Sequence, residues 1–487
     1  MLIAVRARRV IPLAGEGPSR DPRDLFSPPR VLDDHVVVIR GVFLDGAGQA
    51  ASADGPCAAP PGEPGAPHTE DAARVLSGLR GGVIEAVEPM DAFRRRAGVP
   101  LADLGDVTLM PGVVNCHTHL ELSHLAGRTV LGGGFVPWVK TLLSLTGAGA
   151  GAETPPEVRA AALADAARQL AACHTAHVGD ITAVAPAAVR RAMQAASIGC
   201  SHFAEVFGYR FATPDGQPAA PADTAALWPW AMAELMADMT QDDFAPPPAP
   251  ASAAPSASAV SGPPGAPFPV HPDAALAGHA LYSTHPVALA AARRWCERNH
   301  RVFSMHLAEH PDEVEFLTTG RGALADLLAV RVLPPGFAAP GMRPVPYAAE
   351  LGLLDEGTLA VHCVQLDASD IRLLAESGAH VCLCPRSNAA IDVGAAPAHA
   401  LAEAGAPLCL GTDSLASNHD LDLWNEARAL RDLPAGHDLP PAALLRLLTV
   451  NGASALGRGD IGAIAPGRRA RLALLPQDFS EALGTTP

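Results

Sequence analysis

Lysine is almost absent from this chain: of its 35 basic residues, only Lys140 is a lysine. Schiff-base chemistry, a P-loop and a carbamylated-lysine metal bridge all need that residue type, so each would depend on this single position. Basic charge is in deficit as well. With 35 Lys plus Arg against 51 Asp plus Glu, the net charge is −16, which disfavours nucleic acid as a partner and implies an acidic soluble surface. No CxxC pair occurs among the nine cysteines (57, 116, 173, 200, 296, 363, 382, 384 and 409), so thiols scattered along a long chain point to a reducing compartment rather than a disulfide framework. Cys382 and Cys384, two apart in an apolar run, read as core packing. No uninterrupted apolar run approaches the ~20 residues of a membrane span. The opening MLIAVRARRVIPL places its apolar stretch before its arginines, the reverse of a secretory signal. A cytoplasmic protein with neither membrane nor nucleic acid as partner is expected.

What is present is strong patterning. Residues 1–110 read as short strands separated by turns, interrupted by a loop rich in Ala, Pro and Gly at 47–72. From 111 to 456 apolar, β-branched runs alternate with helical stretches. The runs are PGVVNCHTH, TAHVGDIT, IGCSHFAEVF, GHALYST, RVFSMHL, GTLAVHCV, AHVCLCPRS and APLCLGTD. Helices are expected at 155–172, 184–197, 223–238, 286–299, 311–328, 367–377, 420–432 and 440–456. Thr154 and Glu157 stand in capping-box spacing at the start of the first, with Pro155 as its first residue. Eight strand–helix units in series are the footprint of a (β/α)8 barrel, whose reactive groups gather at the C-terminal strand ends. A charge-free, proline-rich segment at about 245–270 reads as a disordered insertion, and the tail at 457–487 reads as strands completing the N-terminal β domain.

The strand ends carry the chemistry. His117 and His119, two apart, point to one face and can grip one metal ion. His306 closes RVFSMH, His362 closes GTLAVH and Asp413 closes APLCLGTD, so strands 1, 5, 6 and 8 would all deliver a ligand type to one mouth. Imidazoles plus a carboxylate suit one divalent metal ion, Zn²⁺ or Fe²⁺, with a position left for water. His174, His177, His202, His271, His279, His285 and His310 read as packing or surface residues.

In this order the motifs PGVVNCHTHLELS, VGDIT, HLAE, VHCVQLDASDI, CPRSN and LGTDSLASN resemble those of the amidohydrolase superfamily. The likeness is to its cytosine-deaminase-like group, with adenosylhomocysteine and methylthioadenosine deaminases, guanine deaminase and triazine hydrolases. The form HTHLELS is similar to the aminofutalosine deaminase branch. AHVGDIT and RRARL depart from the group's Thr-rich second strand and its KADL tail, both away from the ligands. The resemblance implies an α/β fold: a distorted (β/α)8 TIM barrel with a small β-sandwich domain formed by both chain ends. Carried over residue by residue, it makes His117, His119, His306 and Asp413 the metal ligands and Glu309 the proton shuttle. His362 becomes the histidine beside the reacting ring, and Asp413 passes a proton to the departing amine. Binuclear members bridge their metals with a lysine on strand 4; GHALYSTHP has none, which implies one metal. Trp138 falls in the stretch that lines the group's ring pocket. Glu121 lies near enough to contact substrate or to orient His119, and Arg386 in CPRSN is a candidate partner for a substrate anion or for a surface carboxylate.

The implied activity is hydrolytic deamination of an amino-substituted heterocycle, a small-molecule substrate such as a purine nucleoside derivative. Hydrolysis of a cyclic amide or of a ring chloride would use the same site. A catalytically dead scaffold barrel would not retain all four ligands together with Glu309 and His362. A homo-oligomer is compatible with this reading.

Overall fold

A computed structural model describes residues 2–15, 22–41, 69–146, 154–209, 274–334, 336–433 and 439–484. The expected insertion at 245–270 and the expected helix at 223–238 lie outside the described residues. Eight parallel strands in sequential order make the central barrel: β6 (Val113–Thr118), β7 (Thr175–Thr182), β8 (Gly199–Val206), β9 (Ala274–Gly278), β10 (Phe303–Leu307), β11 (Thr358–His362), β12 (His380–Leu383) and β13 (Leu408–Leu410). Their residues are almost all buried, as expected of parallel strands covered on both faces. Between β13 and β6 the gap is spanned by side chains as well as backbone. Asn115 Nδ2 donates to Thr412 Oγ1 at 2.8 Å, Thr412 N donates to Asn115 Oδ1 at 3.1 Å, and Asp413 N donates to His117 O at 2.9 Å. Gly411 permits this approach, since a Cβ there would lie 2.7 Å from that of His117.

Both chain ends meet in a second, mixed sheet of six strands. It runs β14 (Leu472–Leu474), β5 (Thr108–Pro111), β1 (Leu2–Val10), β2 (Leu32–Arg40) and β3 (Val83–Pro89), with β4 (Leu101–Asp103) also paired to β1. The chain leaves this sheet and enters the barrel across one residue, Gly112, so the small sheet anchors the strand that carries His117 and His119.

Local departures from expectation have identifiable causes. The fourth barrel strand is Ala274–Gly278, and the run GHALYST begins only at its last residue. The helix expected at 311–328 is two, Pro311–Thr319 and Ala323–Arg331, because Gly320 and Gly322 sit at φ +70° and +95°. Thr154 forms no capping box: Pro155 is the N-cap with no side-chain bond, while Thr154 Oγ1 accepts from Arg128 at 3.4 Å and its carbonyl from Arg159 at 3.1 Å.

Candidate metal centre and active site

Strand ends 1, 5, 6 and 8 converge as the barrel geometry requires. The ligand atoms of His117, His306 and His362 lie within 4.8 Å of one another, as do those of His117, His119 and Asp413. His119 Nε2 and His306 Nε2 face each other at 3.3 Å, and Asp413 Oδ1 lies 3.6 Å from His117 Nε2 and 3.7 Å from His119 Nε2. Both ring nitrogens of His117 are buried without a hydrogen-bond partner among the described residues. Buried polar atoms are rarely left so, and a cation held by His117, His119, His306 and Asp413 would take up the Nε2 that faces Asp413. Burial, reinforced by His117, pushes His119 down to about 3, and burial likewise holds His306 well below the usual histidine range. Both rings are therefore neutral imidazoles, the form that ligates. Burial opposes ionisation of Asp413, but the imidazoles gathered round it, His117 first and then His119 and His362, hold its carboxyl well below the usual carboxylate range.

The supporting contacts come from motifs noted in the sequence for other reasons. In CPRSN, Ser387 Oγ donates to Asp413 Oδ2 at 2.6 Å, and Ser417 Oγ donates to the same oxygen at 2.9 Å. Asp180, in VGDIT, accepts from Thr118 Oγ1 at 2.9 Å and from Leu120 N at 2.8 Å, clamping the turn on both sides of His119. His362 Nδ1 donates to Asn388 Oδ1 at 2.9 Å, which leaves its Nε2 facing Glu309 Oε1 at 3.6 Å. Outer contacts of this kind typically tune metal affinity by about 10–100-fold. Ser387→Ala should therefore weaken divalent-metal binding by about tenfold or more, read by competition with a chelator; unchanged affinity would show that Ser417 alone suffices.

Glu309 is buried and lines the cavity at the barrel mouth. Burial, then Asp413 and Glu313, raise its carboxyl well above the usual range, and its backbone N–H is fixed by Glu313 Oε2 at 2.8 Å. The backbone is strained beside it: Ala308, His362 and Asp413 have φ of +51°, +73° and +59°. Non-glycine residues in this region cost about 1–3 kcal/mol each and cluster at functional sites.

The other three candidates differ. Trp138 lines the cavity, with Nε1 donating to Ala416 O at 2.9 Å. Glu121 also lines it, but its carboxylate accepts from the backbone amides of Ala183, Val184 and Ala185 at 3.1, 2.7 and 2.9 Å. Arg386 is not among the lining residues, and its guanidinium forks onto Asp420 at 2.6 and 2.8 Å. With both arms engaged it has no fork to offer a substrate anion. Arg386→Met should instead cost about 1 kcal/mol of stability, discounted because Asp420 is partly exposed. Denaturant unfolding checks this, and a selective rise in KM for anionic substrates would restore the anion-binding reading.

Two residues were missed. His279 follows the fourth strand directly, and placing that strand too late in the sequence hid it. Glu205 stands one residue from the end of β8, where the strand-end logic that found His306 would have found it. Ligand atoms of Glu205, His279 and His306 lie within 4.8 Å of one another.

A parallel eight-stranded barrel with histidines and an aspartate gathered at its C-terminal mouth has the design of a metal-assisted hydrolase. The chain belongs to the amidohydrolase family, whose sequence profile matches residues 108–484. Among curated proteins it is 36% identical over 198 residues to a 5-methylthioadenosine/S-adenosylhomocysteine deaminase of Nitratidesulfovibrio vulgaris, covering 40% of each chain. It is 35% identical over 206 residues to a 5'-deoxyadenosine deaminase of Methanothrix thermoacetophila, covering 41% of this chain and 45% of that one. The matched stretch thus spans under half of these relatives. Among solved structures, Helicobacter pylori aminofutalosine deaminase superposes with a TM-score of 0.68 at 18% identity, covering 99% of this chain and 95% of the other. An adenosine deaminase from Xanthomonas campestris with bound zinc gives 0.64 at 23%, covering 100% and 86%.

Proposed function

We propose that this protein is a hydrolytic deaminase of an amino-substituted purine nucleoside, working with a single zinc ion held by His117, His119, His306 and Asp413. The observation that carries the reading is the convergence of those four side chains beside a Glu309 carboxyl that burial keeps protonated. The relatives in sequence, deaminases of methylthioadenosine, adenosylhomocysteine and 5'-deoxyadenosine, support the substrate class. A divalent cation in such a site lowers the pKa of water towards about 7 and so supplies the nucleophile at neutral pH.

The chain's own residues supply the proton traffic. Glu309 gives its proton to the ring nitrogen next to the carbon under attack, so that negative charge does not build there. The Nε2 of His362, fixed by the bond from Nδ1 to Asn388, faces Glu309 and borders the reacting ring. Asp413, ionised and held by two serine hydroxyls, takes one proton of the attacking water and delivers it to the leaving amine, and the water's other proton restores the Glu309 carboxyl as the C=O forms. Ammonia departs and the ring becomes a lactam.

The test is ammonia release by the zinc-loaded protein from methylthioadenosine, adenosylhomocysteine, 5'-deoxyadenosine and aminofutalosine. Turnover of at least one, with kcat/KM above about 10⁴ M⁻¹s⁻¹, is expected. Release of chloride from a chlorotriazine or opening of a cyclic amide, with no ammonia from any nucleoside, would replace the reading.

A further inference from the structure

The group of Glu205, His279 and His306 is separate in kind from the metal centre. His306 Nδ1 donates to His279 O at 2.8 Å, which leaves one ring nitrogen, and that nitrogen faces His119 in the metal cluster. One nitrogen cannot serve two ions, so a second cation here would have only Glu205 and His279. That is fewer than the three protein ligands of a catalytic zinc site. A purpose other than metal binding is required, because the Glu205 carboxyl makes no hydrogen bond among the described residues and its Oε1 is buried. Burial pushes this group up to about 8. A carboxyl left in that condition beside a cavity is one whose partner arrives with the ligand.

The chemistry of the ligand narrows what that partner is. On methylthioadenosine and 5'-deoxyadenosine the only hydrogen-bond donors besides the departing amine are the sugar hydroxyls, and adenosylhomocysteine adds only its α-ammonium. A hydroxyl both donates and accepts, so it pairs with a carboxyl in either protonation state, whereas a ring nitrogen pairs with only one. The surroundings fit a sugar. Phe207, two residues on and 53% exposed, lines the same cavity and packs edge-on to His279 with centroids 5.0 Å apart, presenting an apolar face beside the carboxyl. The cavity encloses about 1050 Å³, more than a bare heterocycle occupies.

We propose that Glu205 is a specificity-determining residue that hydrogen-bonds the ribose hydroxyls of the substrate, making the enzyme selective for ribonucleosides over free bases and deoxynucleosides. Acidic side chains read ribose hydroxyls elsewhere by the same chemistry. The inference rests on the nucleoside-deaminase reading above.

The experiment compares kcat/KM for methylthioadenosine and its 2',3'-dideoxy analogue in wild type, Glu205→Leu and Glu205→Gln, all zinc-loaded. Wild type should favour the ribonucleoside by about tenfold or more, as expected when the dideoxy analogue leaves a buried carboxyl unpaired. Glu205→Leu should bring that ratio near unity, and Glu205→Gln, which keeps the shape and can still bond a hydroxyl, should fall between. Product-nucleoside Kd should show the same ordering, a readout independent of turnover. A ratio unchanged in both variants, with both substrates slowed alike, overturns the inference while leaving the deaminase reading intact. A fall in zinc content in either variant also overturns it, by making Glu205 a ligand. If Glu205→Leu does not fold, the ratio and Kd of Glu205→Gln decide alone: values equal to wild type for both nucleosides overturn it. If the wild type does not deaminate methylthioadenosine, the comparison is made with whichever of the four nucleosides it does deaminate and that nucleoside's 2',3'-dideoxy analogue, and ammonia from none of the four overturns the parent reading and this inference together.

Discussion

Glu309→Gln should keep its zinc and lose at least about 10²-fold in kcat, the usual worth of a positioned general acid. Gln fills the same space and still accepts a hydrogen bond, so a drop in rate reports the missing proton rather than a collapsed site. Metal content separates the two roles a carboxylate can have in this cluster. Glu309 lies in neither of the ligand groups that contain His117, whereas Asp413 does. The sign of the pH dependence follows from the buried carboxyl. Glu309 acts in its protonated form, and its pKa is raised well above the usual range, so turnover should be sustained at neutral pH and decline as pH rises through that value. In Glu309→Gln this alkaline limb should disappear from the residual rate. A variant that retained near wild-type turnover on the true substrate would remove Glu309 from the reaction; one that lost zinc would make it a ligand.

The parts of this site legible in the sequence were those set by strand position alone. A residue that ends a buried run in a barrel must face the mouth, and His117, His119, His306, His362 and Asp413 each satisfy that rule within their own few residues of sequence. What was not legible depends on contacts between segments far apart. Ser387 and Asp413 belong to different strand ends, and nothing in CPRSN alone reveals that its serine donates to the aspartate 26 positions on. Arg386 illustrates the same limit in reverse. An arginine at a barrel mouth suits an anion, but its fork is taken by Asp420, 34 positions away. His279 was lost through a local error, because AALAG is short and weakly β-prone while the following GHALYST looks more strand-like. The small sheet was legible only as β-rich at both ends; that β14 pairs antiparallel with β5 is a fact of register.

Removing a ligand should have the largest effect of all: His117→Ala and Asp413→Asn are each expected to lose both zinc and measurable deamination. The two losses have different origins. His117 is fully buried, and replacing it with alanine removes donor atoms from the centre of both ligand groups. Asp413→Asn keeps the shape but removes the one negative charge among the four ligands, and because Ser387 and Ser417 both donate to Oδ2, an amide oxygen held there turns an NH2 that cannot ligate towards the cation. Stability offers a second readout that does not depend on knowing the substrate. A ligand bound only to the native state adds about 4 kcal/mol at 1,000 times its Kd, so chelation should lower the wild-type Tm by several degrees. Both variants should start nearer the chelated value and respond little to chelator. Elemental analysis of the wild type should find about one zinc per chain, because His306 has a single uncommitted nitrogen and the described part of the fourth strand carries no bridging lysine. Two tightly held ions per active chain would mean that Glu205 and His279 coordinate after all, and the single-ion centre and the ribose contact would both have to be abandoned.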